Sequence, residues 1–231
     1  MCGICGVCLT RSEQPAQRNL VQEMCDAIVH RGPDDQGIHV EGSVGIGMRR
    51  LSIIDLDGGA QPIYNEDRSV VVVFNGEIYN FKELRKELIE KGHQFRTSSD
   101  TEVIAHSYEE YGDDFVDRLN GMYAIAIWDA RKRRMILSRD RLGQKPLYYA
   151  WTHAGLIFGS ELKCVLKSPD VSRNIDRESL YHYLTVGYVP NPGSIYQDVR
   201  QLPPGSQLVV EEDRIEIKRY WRPKAVVDPN L

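Results

Sequence analysis

The chain has 231 residues, of which 42% are hydrophobic and 27% charged, and its formal net charge is −4. This length permits one full hydrophobic core, and the mild, interspersed charge excludes a strongly basic nucleic-acid binder or a protein of anionic membrane surfaces. Five cysteines at irregular spacing argue against a disulfide framework, and the apolar runs are too short for a signal peptide or a membrane span. We therefore expect a cytoplasmic protein.

The first residues of the chain indicate a nucleophile. If the initiator Met1 is removed, which the small residue at position 2 permits, Cys2 carries both a thiol and a free α-amine. An unperturbed thiol has a pKa of about 8.5 and an α-amine a pKa of about 7.7–8.0, so near neutrality the amine can accept the thiol proton. Cys2 can therefore be both nucleophile and base.

The same stretch also has the spacing of iron–sulfur ligands. Cys2, Cys5 and Cys8 recur at every third position, and Cys25 could be a fourth ligand. The stretch is apolar and β-prone, however, and alternate residues of a strand face opposite ways, so Cys5 would point away from Cys2 and Cys8. We favour small buried strand residues for Cys5 and Cys8. The six histidines show no metal-ligand spacing either, so we expect no metal site.

The first half of the chain mixes helices and strands. Residues 19–29 have helical spacing, and Gly37–Val40 with Val44–Met48 indicate a short hairpin. The β-branched run Ser69–Phe74 is typical of a strand covered on both faces. It is predicted to stop at Asn75-Gly76-Glu77, where a strand end would expose backbone N–H groups.

Two capped helices are predicted next. Asn80 precedes Glu83 by three residues in a capping pattern, and the helix that follows should close at Gly92. Ser99 and Glu102 have the same spacing at the start of a second helix, which runs to Tyr111. Asp100 would then lie in the first turn without acting as the cap. It either complements the helix dipole or has a functional role.

The second half is predicted to be mainly antiparallel β-structure. Strands are expected at Met122–Trp128, Met135–Ser138, Leu147–Trp151, Leu156–Ser160, Gln207–Val210 and Arg214–Tyr220, with helices at Glu161–Lys167 and from Asp176 to about Leu184. This order of elements predicts an α+β fold with mostly antiparallel sheets, and a four-layer helix–sheet–sheet–helix sandwich fits it.

Six motifs stand out in order along the chain: Met1-Cys-Gly-Ile-Cys-Gly6, His30-Arg-Gly-Pro-Asp34, Arg50-Leu-Ser-Ile-Ile-Asp55, Phe74-Asn-Gly-Glu-Ile-Tyr-Asn80, Ser99-Asp-Thr-Glu102 and Arg139-Asp-Arg-Leu-Gly-Gln-Lys-Pro-Leu-Tyr148. Together they resemble one known family, the glutaminase domain of glutamine-hydrolysing asparagine synthetases. These proteins are class II glutamine amidotransferases with the N-terminal nucleophile hydrolase fold. The later stretches Phe158–Lys163, Gln201–Gly205 and Tyr220-Trp221 resemble the same proteins, so the resemblance covers essentially the whole chain.

The resemblance implies that the chain hydrolyses L-glutamine to glutamate and ammonia. Cys2 would attack the side-chain amide carbon and form a γ-glutamyl thioester, which water then cleaves. The Asn75 side chain and the Gly76 N–H would hold the tetrahedral oxyanion, and a missing donor of this kind typically costs about 2.7–4 kcal/mol of barrier.

The resemblance also assigns residues to substrate binding. Arg50 would pair with the α-carboxylate of glutamine, since a guanidinium forms a planar, paired contact with a carboxylate. Asp100 with Glu77 would hold the α-ammonium. Backbone contacts would come from Leu51 and Ile53. Arg31 would either brace the loop near the nucleophile or form a purely structural ion pair.

The family continues into an ATP-using synthetase domain with a Ser-Gly-Gly-x-Asp-Ser loop, and this sequence lacks that motif. We therefore expect a glutaminase domain over residues 1–221, with residues 222–231 as a tail or the start of a linker. The chain would be an isolated or truncated domain, or one half of a two-chain enzyme. No cofactor is expected for this domain, while ATP and Mg²⁺ are implied for a synthetase domain in the same or a partner chain. A homodimer stays open.

Two other functions are considered. The domain could be a non-catalytic interaction or regulatory module, although the complete set of Cys2, Arg50, Asn75, Gly76 and Asp100 argues against this. Alternatively, the ammonia could go to an acceptor other than aspartate. Cys5 and Cys8, where small or aliphatic residues are commoner in the family, favour an atypical branch.

Overall fold

The computed structural model describes residues 1–12, 14–52 and 58–224. Ile53 and residues 225–231, most of the predicted tail, lie outside this part. Short 3₁₀ turns follow the first and third helices at Val29–Arg31 and Gly112–Asp114. The α-helices are α1 (Arg18–Asp26), α2 (Phe81–Glu90), α3 (Glu102–Tyr111), α4 (Phe115–Arg118), α5 (Leu162–Val165) and α6 (Arg177–Val186).

Two antiparallel sheets of six strands each form the centre of the molecule. The first has the order β10-β8-β9-β1-β3-β2, with β1 (Gly3–Cys8), β2 (Asp35–Glu41), β3 (Val44–Arg50), β8 (Tyr148–Trp151), β9 (Leu156–Gly159) and β10 (Val199–Gln201). The second has the order β12-β11-β7-β6-β5-β4, with β4 (Ile63–Tyr64), β5 (Val70–Ile78), β6 (Gly121–Asp129), β7 (Arg134–Arg139), β11 (Ser206–Glu211) and β12 (Arg214–Arg219).

Three apolar layers bind these elements together. Residues such as Ile46, Val73 and Phe158 fill the space between the two sheets. A second cluster packs α2 and α3 against the outer face of the second sheet. A third packs α1 and α5 against the outer face of the first sheet. The predicted four-layer α-β-β-α sandwich is therefore confirmed.

Strand β1 alternates as its sequence predicts. Cys8 faces the core between the sheets, where Cys2 also packs. Cys5 faces the opposite way, into the helical layer, with its sulfur 3.5 Å from that of Cys25. Cys5, Cys8, Cys25 and Cys164 are all buried. The interpretation of Cys5 and Cys8 as core residues is thus confirmed.

Strand β5 is longer than predicted. It continues through Asn75, Gly76 and Glu77 to Ile78, and all of these residues pair with β6. The expected strand end at Asn75-Gly76-Glu77 is therefore wrong. The glycine permits the close pairing, because a Cβ at position 76 would collide with the Met122 carbonyl oxygen on β6.

The predicted caps are only partly correct. The Asn80 side chain does not cap α2, because its amide bonds the backbone of Arg118 and Asn120. Glu102 does not complete a capping box with Ser99. Its carboxylate instead accepts the N–H groups of residues 96 and 97. Asp176 does cap α6, accepting the Ser179 N–H at 2.7 Å.

Across residues 1–12, 14–52 and 58–224, every helix is too short or too polar to cross a membrane.

Candidate active site

One cavity lies where β1 begins and β3 ends. Its lining combines a thiol, a guanidinium, two carboxylates and several hydroxyl and amide groups. The lining residues are Cys2, Arg50, Leu51, Gly59, Gln61, Phe74, Gly76, Glu77, Ser99, Asp100 and Thr101. The cavity therefore brings together Cys2, Arg50, Leu51, Gly76, Glu77 and Asp100 from the residues that the sequence singled out.

The Cys2 sulfur lies against the backbone of Leu51. The Leu51 N–H donates to Sγ at 3.4 Å, and the Leu51 carbonyl oxygen lies 3.6 Å from the same sulfur. Arg31 holds the residue from the other side, since its Nε donates to the Cys2 carbonyl oxygen at 2.9 Å. Arg31 also forms an ion pair with Glu161 at 3.0 Å. Arg31 therefore contacts both the Cys2 backbone and an acidic partner, and its role as a brace for the loop near Cys2 stays a prediction.

Asn75 lies beside this cavity rather than in its lining. Its neighbour Phe74 faces the helical layer and Val73 faces the core between the sheets, so by alternation the Asn75 side chain is on the inter-sheet face with Cys2. Asn75 is 1% exposed, and within the described residues its Nδ2 has no hydrogen-bond partner. A buried amide donor without a partner is uncommon and calls for an explanation.

The Gly76 N–H points toward the cavity. Tyr123 faces Gly76 across the ladder, but its backbone bonds Asp140 and not Gly76. The Tyr123 N–H donates to the Asp140 carboxylate, and the Tyr123 carbonyl oxygen accepts the Asp140 N–H. Gly76 is therefore a non-hydrogen-bonded pair with Tyr123, and its N–H points away from β6. Phe74, two residues earlier, points its N–H the same way, to the Gln61 Oε1 at 2.7 Å. Gly76 thus presents a backbone donor at the cavity edge of β5.

Asp100 is buried at the far side of the cavity. Its carboxylate accepts the Ile78 N–H at 2.9 Å, which fixes it against β5 just before α3 begins. The helix begins two residues later than predicted, with Thr101 and not Ser99 as its N-cap, so Asp100 precedes the first turn and its predicted place in that turn is wrong. Burial raises the pKa of Asp100 to about 6, the Ile78 N–H opposes this shift, and the negative charge of Glu77 adds to it.

Some cavity residues were not predicted from the sequence. Gln61 is almost buried, and its amide bonds both the Phe74 backbone and the Thr101 hydroxyl, so it ties β5 to the segment before α3. Ser99 and Thr101 flank Asp100 and were interpreted only as parts of a helix start. Proximity to Asp100 was the one signal available for them. Ile53, predicted to contact substrate, lies outside the described residues.

The Arg139–Tyr148 motif is structural. The Asp140 carboxylate accepts backbone N–H groups from Tyr123, Leu142, Gln144 and Lys145. The Arg139 guanidinium donates to three carbonyl oxygens, at Gly143, Lys145 and Leu202. These bonds hold a tight turn at the end of β7, outside the cavity lining.

The set of charges around the cavity suits a small zwitterion. The positive charge of Arg50, which is 5% exposed, and the carboxylates of Asp100 and Glu77 line the same cavity. A guanidinium can pair with a carboxylate, and a carboxylate can pair with an ammonium group. The thiol of Cys2 shares this lining, so a thiol and charged groups of both signs meet in one place.

Comparison with known proteins agrees with this geometry. The family model described as "Glutamine amidotransferase domain" matches residues 1–221. The chain is 39% identical over 225 residues to the glutamine-hydrolyzing asparagine synthetase 3 of Bacillus subtilis (strain 168), covering 96% of this chain and 36% of that protein. It is 47% identical over 176 residues to the glutamine-hydrolyzing asparagine synthetase 2 of Oryza sativa subsp. japonica, covering 76% of this chain and 29% of that protein.

Among solved structures, the glutamine phosphoribosylpyrophosphate amidotransferase of B. subtilis aligns with a TM-score of 0.67 and 20% identity, over 95% of this chain and 49% of that chain. This likeness confirms the predicted N-terminal nucleophile hydrolase type of sandwich. The chain spans about a third of the length of the B. subtilis asparagine synthetase 3. On the family match and the sequence identities, the chain belongs to the glutamine amidotransferase domain family.

Proposed function

We propose that this chain hydrolyses L-glutamine to glutamate and ammonia, with Cys2 as the nucleophile. The observation that carries the proposal is the shared lining of Cys2, Arg50 and Asp100 in one cavity. Arg50 pairs with the α-carboxylate of glutamine, and Asp100 with Glu77 holds its α-ammonium. The side-chain amide then extends toward the Cys2 sulfur.

The reaction proceeds in two halves. After Met1 is removed, the Cys2 α-amine takes the thiol proton, and Sγ attacks the amide carbon to give a tetrahedral intermediate. The carbon–nitrogen bond breaks, the amine-held proton goes to the leaving nitrogen, and ammonia leaves a γ-glutamyl thioester. Water then adds to the thioester carbon and gives a proton to the α-amine, the carbon–sulfur bond breaks, glutamate is released, and the thiolate takes that proton back to restore the Cys2 thiol.

Two donors beside the thiol suit the oxyanion of these intermediates. Asn75 supplies an amide group that has no partner among the described residues, and Gly76 supplies a backbone N–H on the cavity side of β5. A donor held in place before reaction, with no bond to give up, stabilises developing charge at little cost in reorganisation. This role explains why a buried donor is left unpaired.

The ammonia is proposed to serve an ATP-dependent amidation carried out by a synthetase domain, in the same or a partner chain. The support is that the relatives are named asparagine synthetases and extend far beyond the length this chain covers. Aspartate is then the acceptor. A different carboxylate acceptor is the alternative, because the glutaminase domain does not contact the acceptor in this scheme.

The first experiment measures glutamate release from L-glutamine by the purified chain, after intact mass has established whether Met1 is absent. We expect steady release from protein that starts at Cys2 and none from protein that retains Met1. No release from protein with a free Cys2, even after a synthetase domain is added, would instead favour the non-catalytic interaction module.

Substitution of Arg50 tests the binding assignment. Arg50→Ala should raise the KM for L-glutamine by about 10–100-fold with a smaller change in kcat, because a hydrogen bond to a charged group contributes about 1.5–3 kcal/mol. Arg49→Ala is the matched control. Arg49 is the adjacent guanidinium, but it bonds Gly32 and Gln36 and is absent from the cavity lining. An unchanged KM in the Arg50 variant removes that residue from the substrate site.

The pKa of Asp100 predicts a pH dependence of glutamine binding. Burial raises this pKa to about 6, so the carboxylate is charged at neutral pH and loses its charge as the pH falls through about 6. An uncharged Asp100 cannot pair with the α-ammonium of glutamine. The KM should therefore rise on the acid side, approaching tenfold per pH unit. In steady-state assays Asp100→Asn should have a high KM that no longer varies between pH 5 and 7, and a variant that keeps the wild-type profile refutes the assignment.

A further inference from the structure

A second cluster of reactive side chains lies away from the cavity, on the side of α3. Glu66 lies in the turn between β4 and β5, and His93 follows α2. His106 and Glu109 lie three residues apart on α3, so both face the same side of that helix. One ligand atom from each of the four residues lies within 4.8 Å of all the others.

Several separations within the cluster are close to those between the ligands of one metal ion. His106 Nδ1 lies 3.4 Å from a Glu66 oxygen and 3.3 Å from Glu109 Oε2. His93 Nδ1 lies 3.4 Å from the other Glu66 oxygen and 3.9 Å from Glu109 Oε2. Ligands about 2.0–2.1 Å from a tetrahedral ion are about 3.3 Å from one another. The separations of 3.3 to 3.9 Å are close to this value, whereas the limit of 4.8 Å on the whole set shows that the side chains must draw together by up to about 1.5 Å to surround one ion.

Outer groups already hold several of these ligands. The Gln94 N–H donates to Glu66 Oε1 at 2.9 Å, and the Asn65 amide donates to Glu109 Oε1 at 2.7 Å. The Nε2 atom of His106 lies 3.7 Å from the buried Glu102 carboxylate, which is beyond hydrogen-bond distance, and it has no hydrogen-bond partner within the described residues. Carboxylates and backbone groups behind the ligands are typical of protein metal sites, because they fix the ligand orientation.

We propose that Glu66, His93, His106 and Glu109 bind one divalent first-row metal ion, with Zn²⁺ as the best fit. Two imidazoles and two carboxylates match the ligands that zinc takes in proteins, whereas Mg²⁺ and Ca²⁺ prefer oxygen alone. His106 is fully buried, so the ion has protein on one side and is reached from the side of the more exposed glutamates. This inference does not depend on the proposed glutaminase activity.

The bound ion links three segments that are distant in sequence. The turn after β4, the segment that follows α2 and the helix α3 meet at this cluster, and α3 follows directly on the Ser99–Thr101 segment of the cavity. An ion that binds the folded chain and not the unfolded one stabilises the fold. Protons compete with the metal for the same imidazoles, because a protonated His106 can form ion pairs with the neighbouring carboxylates. Metal binding therefore releases protons.

The test uses zinc alone as the probe, in a Cys2→Ala background that removes the accessible thiol as a competing ligand. Chelator-treated protein is titrated with Zn²⁺ by calorimetry, and its thermal melting is followed with and without the metal. His93→Gln and Glu109→Gln remove one ligand each at positions that are not fully buried. His153→Gln is the matched control, because His153 pairs with Asp170 on an exposed surface outside the cluster.

We expect one zinc per chain, a rise in melting temperature, and proton release on binding. The His93 and Glu109 variants should keep their far-ultraviolet circular dichroism and lose at least tenfold in zinc affinity, while the His153 variant binds like its parent. Co²⁺ should give the visible absorption of a four-coordinate site, and Mg²⁺ should not bind. Absence of saturable binding, or equal affinity in all the variants, overturns the proposal and leaves the cluster as a proton-held ion-pair network.

Discussion

Replacing Cys2 by alanine should abolish glutamine hydrolysis without unfolding the domain. No other residue of the lining carries a thiol, and the two hydroxyls there, of Ser99 and Thr101, bond to each other at 3.2 Å and have no α-amine on the same residue to act as base. Loss of a covalent nucleophile elsewhere lowers kcat on the order of 10⁶-fold. Cys2 lies half-buried before the first strand, so removal of one sulfur should leave the melting temperature within a degree or two. Glutamate release and calorimetry of the same samples measure the two effects.

Cys8→Ala is the matched control. Cys8 lies on the same face of β1 as Cys2, but it is 1% exposed within the core between the sheets. Its loss leaves a small cavity and should lower the free energy of unfolding by about 1 kcal/mol. The folded Cys8 variant should turn over glutamine at the wild-type rate. Wild-type turnover in the Cys2 variant would refute the nucleophile assignment.

Replacing Asn75 by alanine should lower kcat by about 10²–10³-fold, since an oxyanion donor contributes about 2.7–4 kcal/mol. The KM should change little, because the donor acts mainly on the charge that forms during reaction. Stability should fall by less than is usual for a buried asparagine. The Asn75 Nδ2 has no partner within the described residues, so the substitution breaks no bond from this nitrogen.

Asn65→Ala is expected to give the opposite pattern. Asn65 is also 1% exposed, but its Nδ2 donates to Asp67, Ser69 and Glu109 at 2.7 to 3.1 Å. Its loss leaves several acceptors unpaired and should cost about 1–3 kcal/mol of stability with near-normal kcat. Equal kcat values in the two variants would remove Asn75 from the oxyanion site.

Local patterns predicted the elements of this fold more accurately than their ends. The alternation in β1 and the Asp176 cap were predicted because both depend only on residues that are close in sequence. The extension of β5 through Gly76 was not, because it depends on pairing with β6, more than 40 residues away. Asn80 similarly bonds Arg118 and Asn120 instead of its own helix.

In the candidate site, too, residues in sequence motifs were predicted and residues defined by distant contacts were not. Family motifs located Cys2, Arg50 and Asp100, which the structure places around one cavity. Gln61 was not predicted as a site residue, because its role depends on hydrogen bonds to Phe74 and Thr101, which are distant in sequence. The histidine and glutamate cluster has no sequence spacing to reveal it, because its ligands come from three separate segments.

The burial of four cysteines leaves the Cys2 sulfur as the thiol most accessible to oxidants and alkylating agents. Burial raises the pKa of Cys8 and of Cys164 to about 12, and Cys5 and Cys25 are enclosed in the helical layer. A protonated, enclosed thiol reacts slowly with oxidants and alkylating agents, which attack accessible thiolates. Cys2 is the one cysteine of the five that is not buried. Among the cysteines, oxidative damage therefore reaches Cys2, the proposed nucleophile, first, and the protein should lose the proposed glutaminase activity while its fold stays intact.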